Sequence, residues 1–277
     1  TVVFIPEYYF RIIDDAANKK RYFYIADKAK SGFTKHPGSG KYVGRYNTIS
    51  GHYSKTGAAP LVNLTRASAR SGARGKGSKW SEYDFASWCA VWLLYLVEFS
   101  DWDSQSKIGR GYVDSNNSAI SSGGTDSMIY HTGRAAGTNG KTAVQYRHIE
   151  NPYGNVFEFI DGINFSDGTV YVCLNPASYA DDTATNYTNI GSKIQSDGYI
   201  TAIGVAAAMP WAFFPTGVGG SETTYIPDSA LYFSGWRVLR VGGSWNNGGL
   251  AGLFCFDANY TSSSTSSSVG ARLLFHP

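Results

Sequence analysis

Residues 242–272 read GGSWNNGGLAGLFCFDANYTSSSTSSSVGAR. Two kinds of position interleave in this stretch. One is a frame of glycines and apolar residues: Gly242, Gly243, Trp245, Ala251, Gly252, Phe254 and Phe256, closed by Val269-Gly270-Ala271-Arg272. The other is a filling of Asn, Ser, Thr, Asp, Tyr and Gly. Tyr offers large, rigid contact area, while Ser, Gly and Asn offer adaptable hydrogen bonding, which is the chemistry of recognition loops. A persistent shape with changeable side chains suits binding better than catalysis. Ser264, Ser266 and Ser268 alternate, so they share one face if that segment is extended.

Composition narrows the reading further. The chain has 277 residues, enough for one large domain or two small ones. Charged residues are 16% of it, against about a quarter in an average domain. A formal net charge of +3 is too small to point to nucleic acid. The cluster Arg66, Arg70, Arg74, Lys76 and Lys79 lies among glycines and reads as a solvated loop, with phosphate or glycan contact as the lesser alternative. Cys89, Cys173 and Cys255 show no CxxC or Cys/His spacing, which argues against a disulfide framework or a metal finger. Cys89 falls in an apolar run and reads as buried packing. There is no signal peptide and no apolar run of about 18 residues, so no membrane insertion is expected. The first residue is Thr1, and the chain reads as a piece of a longer protein.

The expected elements are mostly short strands and loops with one or two helices. Residues 1–50 read as strands with a hairpin, RYFYIAD pairing back across a turn at 14–18. Residues 65–73 fit a short helix. The clearest helix spans 82–99, with Ser81 as N-cap and Asp84 completing a variant capping box. Phe85, Trp88, Cys89, Trp92, Leu93, Leu96 and Phe99 form its apolar stripe. Val91, Leu94 and Tyr95 load the opposite side, so the helix is expected to be largely buried. Residues 100–150 and 175–200 read as polar loops, 151–174 as strands, and 201–240 as short strands with AMPWAFFP as a turn. No linker divides the chain, and a single domain over 1–277 is expected.

Enzymatic constellations are weak. No GxSxG, HExxH, P-loop or nucleotide fingerprint is present, and the five histidines are scattered. Glu158 lies between Phe157 and Phe159 and, if half-buried, needs a partner. A backbone amide, an Arg or a calcium ion would each serve.

Three segments in order, GNVFEFIDG (154–162), GWRVLRVGGSW (235–245) and VGARLLF (269–275), resemble the formylglycine-generating-enzyme branch of the C-type lectin fold. The resemblance implies an α+β fold of that branch. Within it, the copper-dependent oxidase needs two nearby cysteines in the window where this chain has only Cys255. The chain is more similar to the variable proteins of diversity-generating retroelements, of the phage tail-tip receptor-binding type. There the GGSW-to-GAR segment is rewritten at template adenines, turning Asn codons into Ser, Asp, Gly, Thr, Tyr, Cys, Leu and others. Residues of this set are Ser244, Asn246, Asn247, Gly249, Leu250, Cys255, Asp257, Asn259, Tyr260, Ser264, Ser266 and Ser268, the implied ligand-binding positions. Trp245, Phe254, Phe256 and Arg272 are the implied scaffold. The implied function is a non-enzymatic adhesin on a virion tail tip, homotrimeric, engaging a host-cell surface receptor of protein or glycan. The alternatives are an oxidase relative with lost or altered catalysis, and a lectin. No cofactor is implied beyond a structural calcium at Glu158.

Overall fold

The computed structural model describes residues 1–192 and 194–277. Strands and loops dominate, with three α-helices among the described residues: α1 (Arg66–Arg74), α2 (Phe85–Phe99) and α3 (Ser104–Ile108). One more helix forms than the sequence suggested. It is α3, capped by Asp103, whose carboxylate accepts from the Ser106 amide at 2.9 Å. Residues 65–73 fold as expected, with Thr65 capping α1 through the Ser68 amide.

Helix α2 is apolar on nearly all sides, so only burial can satisfy it. Its residues from Phe85 to Leu93, with Tyr95 and Leu96, are buried, and Cys89 and Leu93 reach zero exposure. Its start differs from the expectation. Asp84, not Ser81, is the N-cap, accepting from the Ser87 amide at 2.7 Å. Ser81 is held in the strand Trp80–Glu82, paired with Leu274, so it is unavailable as a cap. The left-handed Ser100 closes the helix.

Among the described residues the largest sheet has nine strands. Its path runs Thr188–Ser192, Thr169–Val172, Phe157–Ser166, Trp236–Val241, Phe256–Tyr260, Ser229–Tyr232, Gly198–Ala206 and Met209–Val218, and Val269–Gly270 joins Phe157 and Glu158 in parallel. A second sheet places Lys41–Gly44 between Val2–Ile5 and Leu273–Phe275, with Trp80–Glu82 on the far side. The expected N-terminal hairpin forms between Tyr9–Asp15 and Lys20–Ala26. Three loop or turn readings fail, the first at residues 100–150, which hold α3 and a three-stranded sheet of Gly133–Arg134, Val144–Tyr146 and Ile149–Glu150. Residues 175–200 contain the strand Thr188–Ser192 and the start of another at Gly198, anchored by buried Ile190 and Ile200. Of AMPWAFFP, only Ala208 lies in a turn and the rest belongs to the strand Met209–Val218; this is the edge of the sheet, where prolines lacking an N–H are tolerated.

The main core packs α2 against the large sheet. Trp92 sits 4.7 Å, ring to ring, from both Phe213 and Phe254, and Phe254 also meets Trp102 at 5.0 Å and Tyr95 at 5.6 Å. Phe256 reaches Trp88 at 6.0 Å and Phe165 at 5.7 Å. A smaller cluster of Phe157, Phe159, Val238, Cys255 and Val269 is separate from it, with Tyr260 packed against it. The strand Phe157–Ser166 serves both. Its pairing register shifts between Ile160 and Asn164, so Phe157 and Phe159 join the small cluster while Ile163 and Phe165 join the main core.

The basic cluster near α1 is not a solvated loop. Arg66 and Arg70 are buried, one helical turn apart, and bind Asp181 and Asp161: Arg70 holds Asp161 with two bonds, at 2.6 and 3.0 Å. Their charge is consumed internally, which removes the phosphate or glycan alternative for these two residues. Close by, Glu82 is fully buried and neither carboxylate oxygen has a partner. Burial, aided by Asp161, pushes its carboxyl well above the usual range. The folded state therefore binds more protons than the unfolded one, and stability falls as pH rises above the ordinary Glu value of 4.5. Glu82→Gln is expected to gain stability over the parent above that pH, by about 1.4 kcal/mol per pH unit until the folded-state pKa is reached. Urea denaturation across pH 4–8 measures it.

Candidate functional site

The frame of residues 242–272 is built from contacts that admit little else. Gly243 has φ +78°, and a Cβ there would lie 2.5 Å from the Ala251 Cβ. A Cβ on Gly252 would lie 2.2 Å from Asp228 Oδ1. The same Asp228 carboxyl accepts from the Phe254 amide at 2.7 Å, which fixes the entry to the strand Phe256–Tyr260. Burial pushes the Asp228 carboxyl well above its usual range.

The loop between these glycines is clamped to its surroundings. The Trp245 amide donates to the Asn155 carbonyl and the Ser115 amide donates to the Trp245 carbonyl, at 3.0 and 2.8 Å. The Gly248 amide donates to the Val113 carbonyl, while Gln105 Nε2 donates to the Gly248 carbonyl. Ser244 is buried; its amide and hydroxyl both donate to Asn247 Oδ1. Asn246 and Leu250 are the exposed members, Leu250 at 39%. Gly249 borders a cavity of about 430 Å³ walled by Gln105, Arg110, Asn139 and Glu222.

Along the next strand, frame and filling separate. Phe254, Phe256 and Ala258 enter the main core. Cys255 joins the small cluster, while Asp257 reaches Arg240. A register shift between Val238 and Arg240 adds one residue to this strand, so Asp257 and Tyr260, three apart, both meet the Arg240 guanidinium. Asn259 and Tyr260 are half-buried. The tract 261–268 is tied to the body: the Asn63 amide donates to the Ser266 carbonyl, and the Phe157 amide to that of Ser268. Ser262 bonds Asp182.

The implied binding positions therefore divide. Cys255 and Asp257 are buried at 2% and 0%, and Ser244 at 1%, which removes them from direct ligand contact. Each is spent on an inner partner, and burial holds the Cys255 thiol far above its ordinary value. Ser264, Ser266 and Ser268 do alternate, but they are the half-buried phase; Ser263, Thr265 and Ser267 are the exposed one. The turn that bonds the Ser264 amide to the Thr261 carbonyl sets this phase, and the sequence alternation alone does not reveal it. Asn246 and Leu250 are exposed, while Asn247, Gly249, Asn259 and Tyr260 are half-buried. The sequence reading missed Arg240 as part of this face, because it had counted Arg240 as fold signature. It also missed Arg110, paired with Asp114, and Glu222 as walls of the cavity.

Glu158 receives the Arg among its three candidate partners. Arg272 Nε donates to both its oxygens, at 2.9 and 3.0 Å, and Asn47 adds a bond at 2.6 Å. Burial pushes Glu158 up and Arg272 pulls it back. A carboxylate engaged in this way, beside a buried cation, does not suit calcium, and no group of three His, Cys, Asp or Glu able to hold a metal occurs among the described residues. Arg272 also donates to the carbonyls of Gly44, Arg45, Glu150 and Asn151, all between 2.8 and 3.0 Å.

Compared with known proteins, the chain matches no protein-family model and no curated protein. No described helix is long and apolar enough to cross a membrane.

Arg272→Met strands a buried carboxylate and four carbonyls, and is expected to cost about 3–5 kcal/mol. Arg272→Lys restores little, since an ammonium lacks the fork that spans these acceptors. Denaturant midpoints of both variants check this.

Proposed function

We propose that the surface carrying Asn246, Leu250, Asn259, Tyr260, Ser263, Thr265 and Ser267 is a ligand-binding face. The carrying observation is the division of residues 254–260, in which Phe254 and Phe256 pack into the main core while Asp257, Asn259 and Tyr260 turn away from it toward Arg240. A backbone fixed by Phe254, Phe256, Gly243 and Gly252 presents side chains at little ordering cost on binding. Their chemistry then changes without altering the fold.

This architecture supports a receptor-binding adhesin of the variable-protein type, on a C-type lectin frame of the formylglycine-generating-enzyme branch. In that reading the chain sits at a virion tail tip, as a trimer, and engages a host surface molecule. Contacts by Ser, Thr and Asn are individually modest, and repeated copies strengthen them by avidity. Tyr260 and Leu250 are the large anchors available, since hot spots favour aromatic groups. Catalysis is not part of the proposal. The one sulfur of the segment, Cys255, is a buried thiol held neutral, the opposite of the thiolate that metal and redox chemistry require.

Simultaneous alanine replacement of the seven face residues is expected to abolish binding to host-cell surface extract, by at least about tenfold, equivalent to 1.4 kcal/mol. The variant is expected to stay folded with a lowered melting transition, because the five exposed substitutions stay within about 0.5 kcal/mol each while Tyr260→Ala also removes the ring stacked on Arg240. Retained binding by the folded variant would sink the proposal.

A further inference from the structure

Arg240 is a cation supplied by the frame and covered by the filling. It stands on the strand Trp236–Val241, in the middle of the large sheet. Its guanidinium lies between two rings, 4.2 Å from the centroid of Phe157 and 3.5 Å from that of Tyr260. Nη2 donates to Asp257 Oδ2 at 2.7 Å and, more weakly, to Asn259 Oδ1 at 3.4 Å. The residue is 7% exposed, and Nε is buried with no acceptor. Asp257, Asn259 and Tyr260 all come from the segment 242–272, whereas Arg240 and Phe157 do not.

A guanidinium stays charged at any working pH, and a buried charge without a counter-ion is costly. The planar edge of Nε and Nη2 matches the two oxygens of a carboxylate. Asp257 uses only Nη2, so half of that edge is unspent in this chain. We infer that Arg240 is a masked carboxylate-recognition group, with the Asp257 side chain standing where a ligand carboxylate would sit. A filling without an acid at position 257 leaves the guanidinium, held between its two rings, needing an external anion. Position 257 thereby switches the face between a self-neutralised state and a carboxylate-binding one. This switch at position 257 operates whether or not the face engages a receptor.

The test is chemical rescue. Asp257→Ala removes the mask and leaves space for a small anion, and formate is the probe. Its melting temperature is expected to rise saturably with formate at constant ionic strength, as for a ligand that binds only the folded state. The parent and the double variant Arg240→Met/Asp257→Ala should show no such rise. If Asp257→Ala needs formate in order to fold, that supports the inference equally. Asp257→Ser, which keeps a hydroxyl acceptor toward the Asn259 amide, carries the measurement should the alanine variant fail to fold with formate. Absence of formate dependence in both, or no folding of either under any condition, overturns the inference. Saturation by inorganic phosphate but not by formate overturns the carboxylate assignment.

Discussion

The pairing of Arg272 with Glu158 is the contact on which the arrangement rests. Arg272 closes the segment 242–272, Glu158 lies in the strand Phe157–Ser166, and the carbonyls that Arg272 also binds come from residues 44–45 and 150–151. One buried side chain thus joins four stretches of chain. Neither partner is tolerable alone, because an unpaired charge in a dry interior loses far more hydration than the fold can replace. The same arginine fixes where the serine-rich tract must end, so residues 261–268 span between two anchored points. They form an ordered cover rather than a floppy tail.

A second constraint is the period of the strand. Side chains alternate between faces, so one five-residue strand, with the residues leading into it, packs the main core on one side and on the other holds Cys255, Asp257 and Tyr260 against the small cluster and Arg240. Phe254 and Phe256 meet five aromatic partners, Trp88, Trp92 and Tyr95 of α2 together with Trp102 and Phe165, and Phe→Ala changes in such sites cost about 3–5 kcal/mol. The outer members contribute little to that packing.

Much of this was legible in the sequence, and the failures have physical causes. The periodicity of Phe85 to Phe99 announced a buried helix, because an apolar surface on all sides has no solvated alternative. The interleaving of Phe254 and Phe256 with polar residues announced the two faces. What could not be read was long-range pairing. The acids that bury Arg66 and Arg70 are 91 to 115 residues away, although the four-residue spacing of the arginines within a helix was a usable signal. The phase of Ser264, Ser266 and Ser268 depended on a turn whose geometry no residue type dictates. AMPWAFFP failed because two prolines suggest a turn, while an edge strand accommodates them.

The most direct measurement is saturation substitution of every position from 242 to 272, scored for folded protein on a display surface without any ligand. Tolerance is predicted to be broad at Asn246, Leu250, Ser263, Thr265 and Ser267. It should be narrow at Gly243, Gly252, Phe254, Phe256 and Arg272. Sensitivity at the exposed positions comparable to that at Phe254 and Phe256 would contradict the division into frame and display.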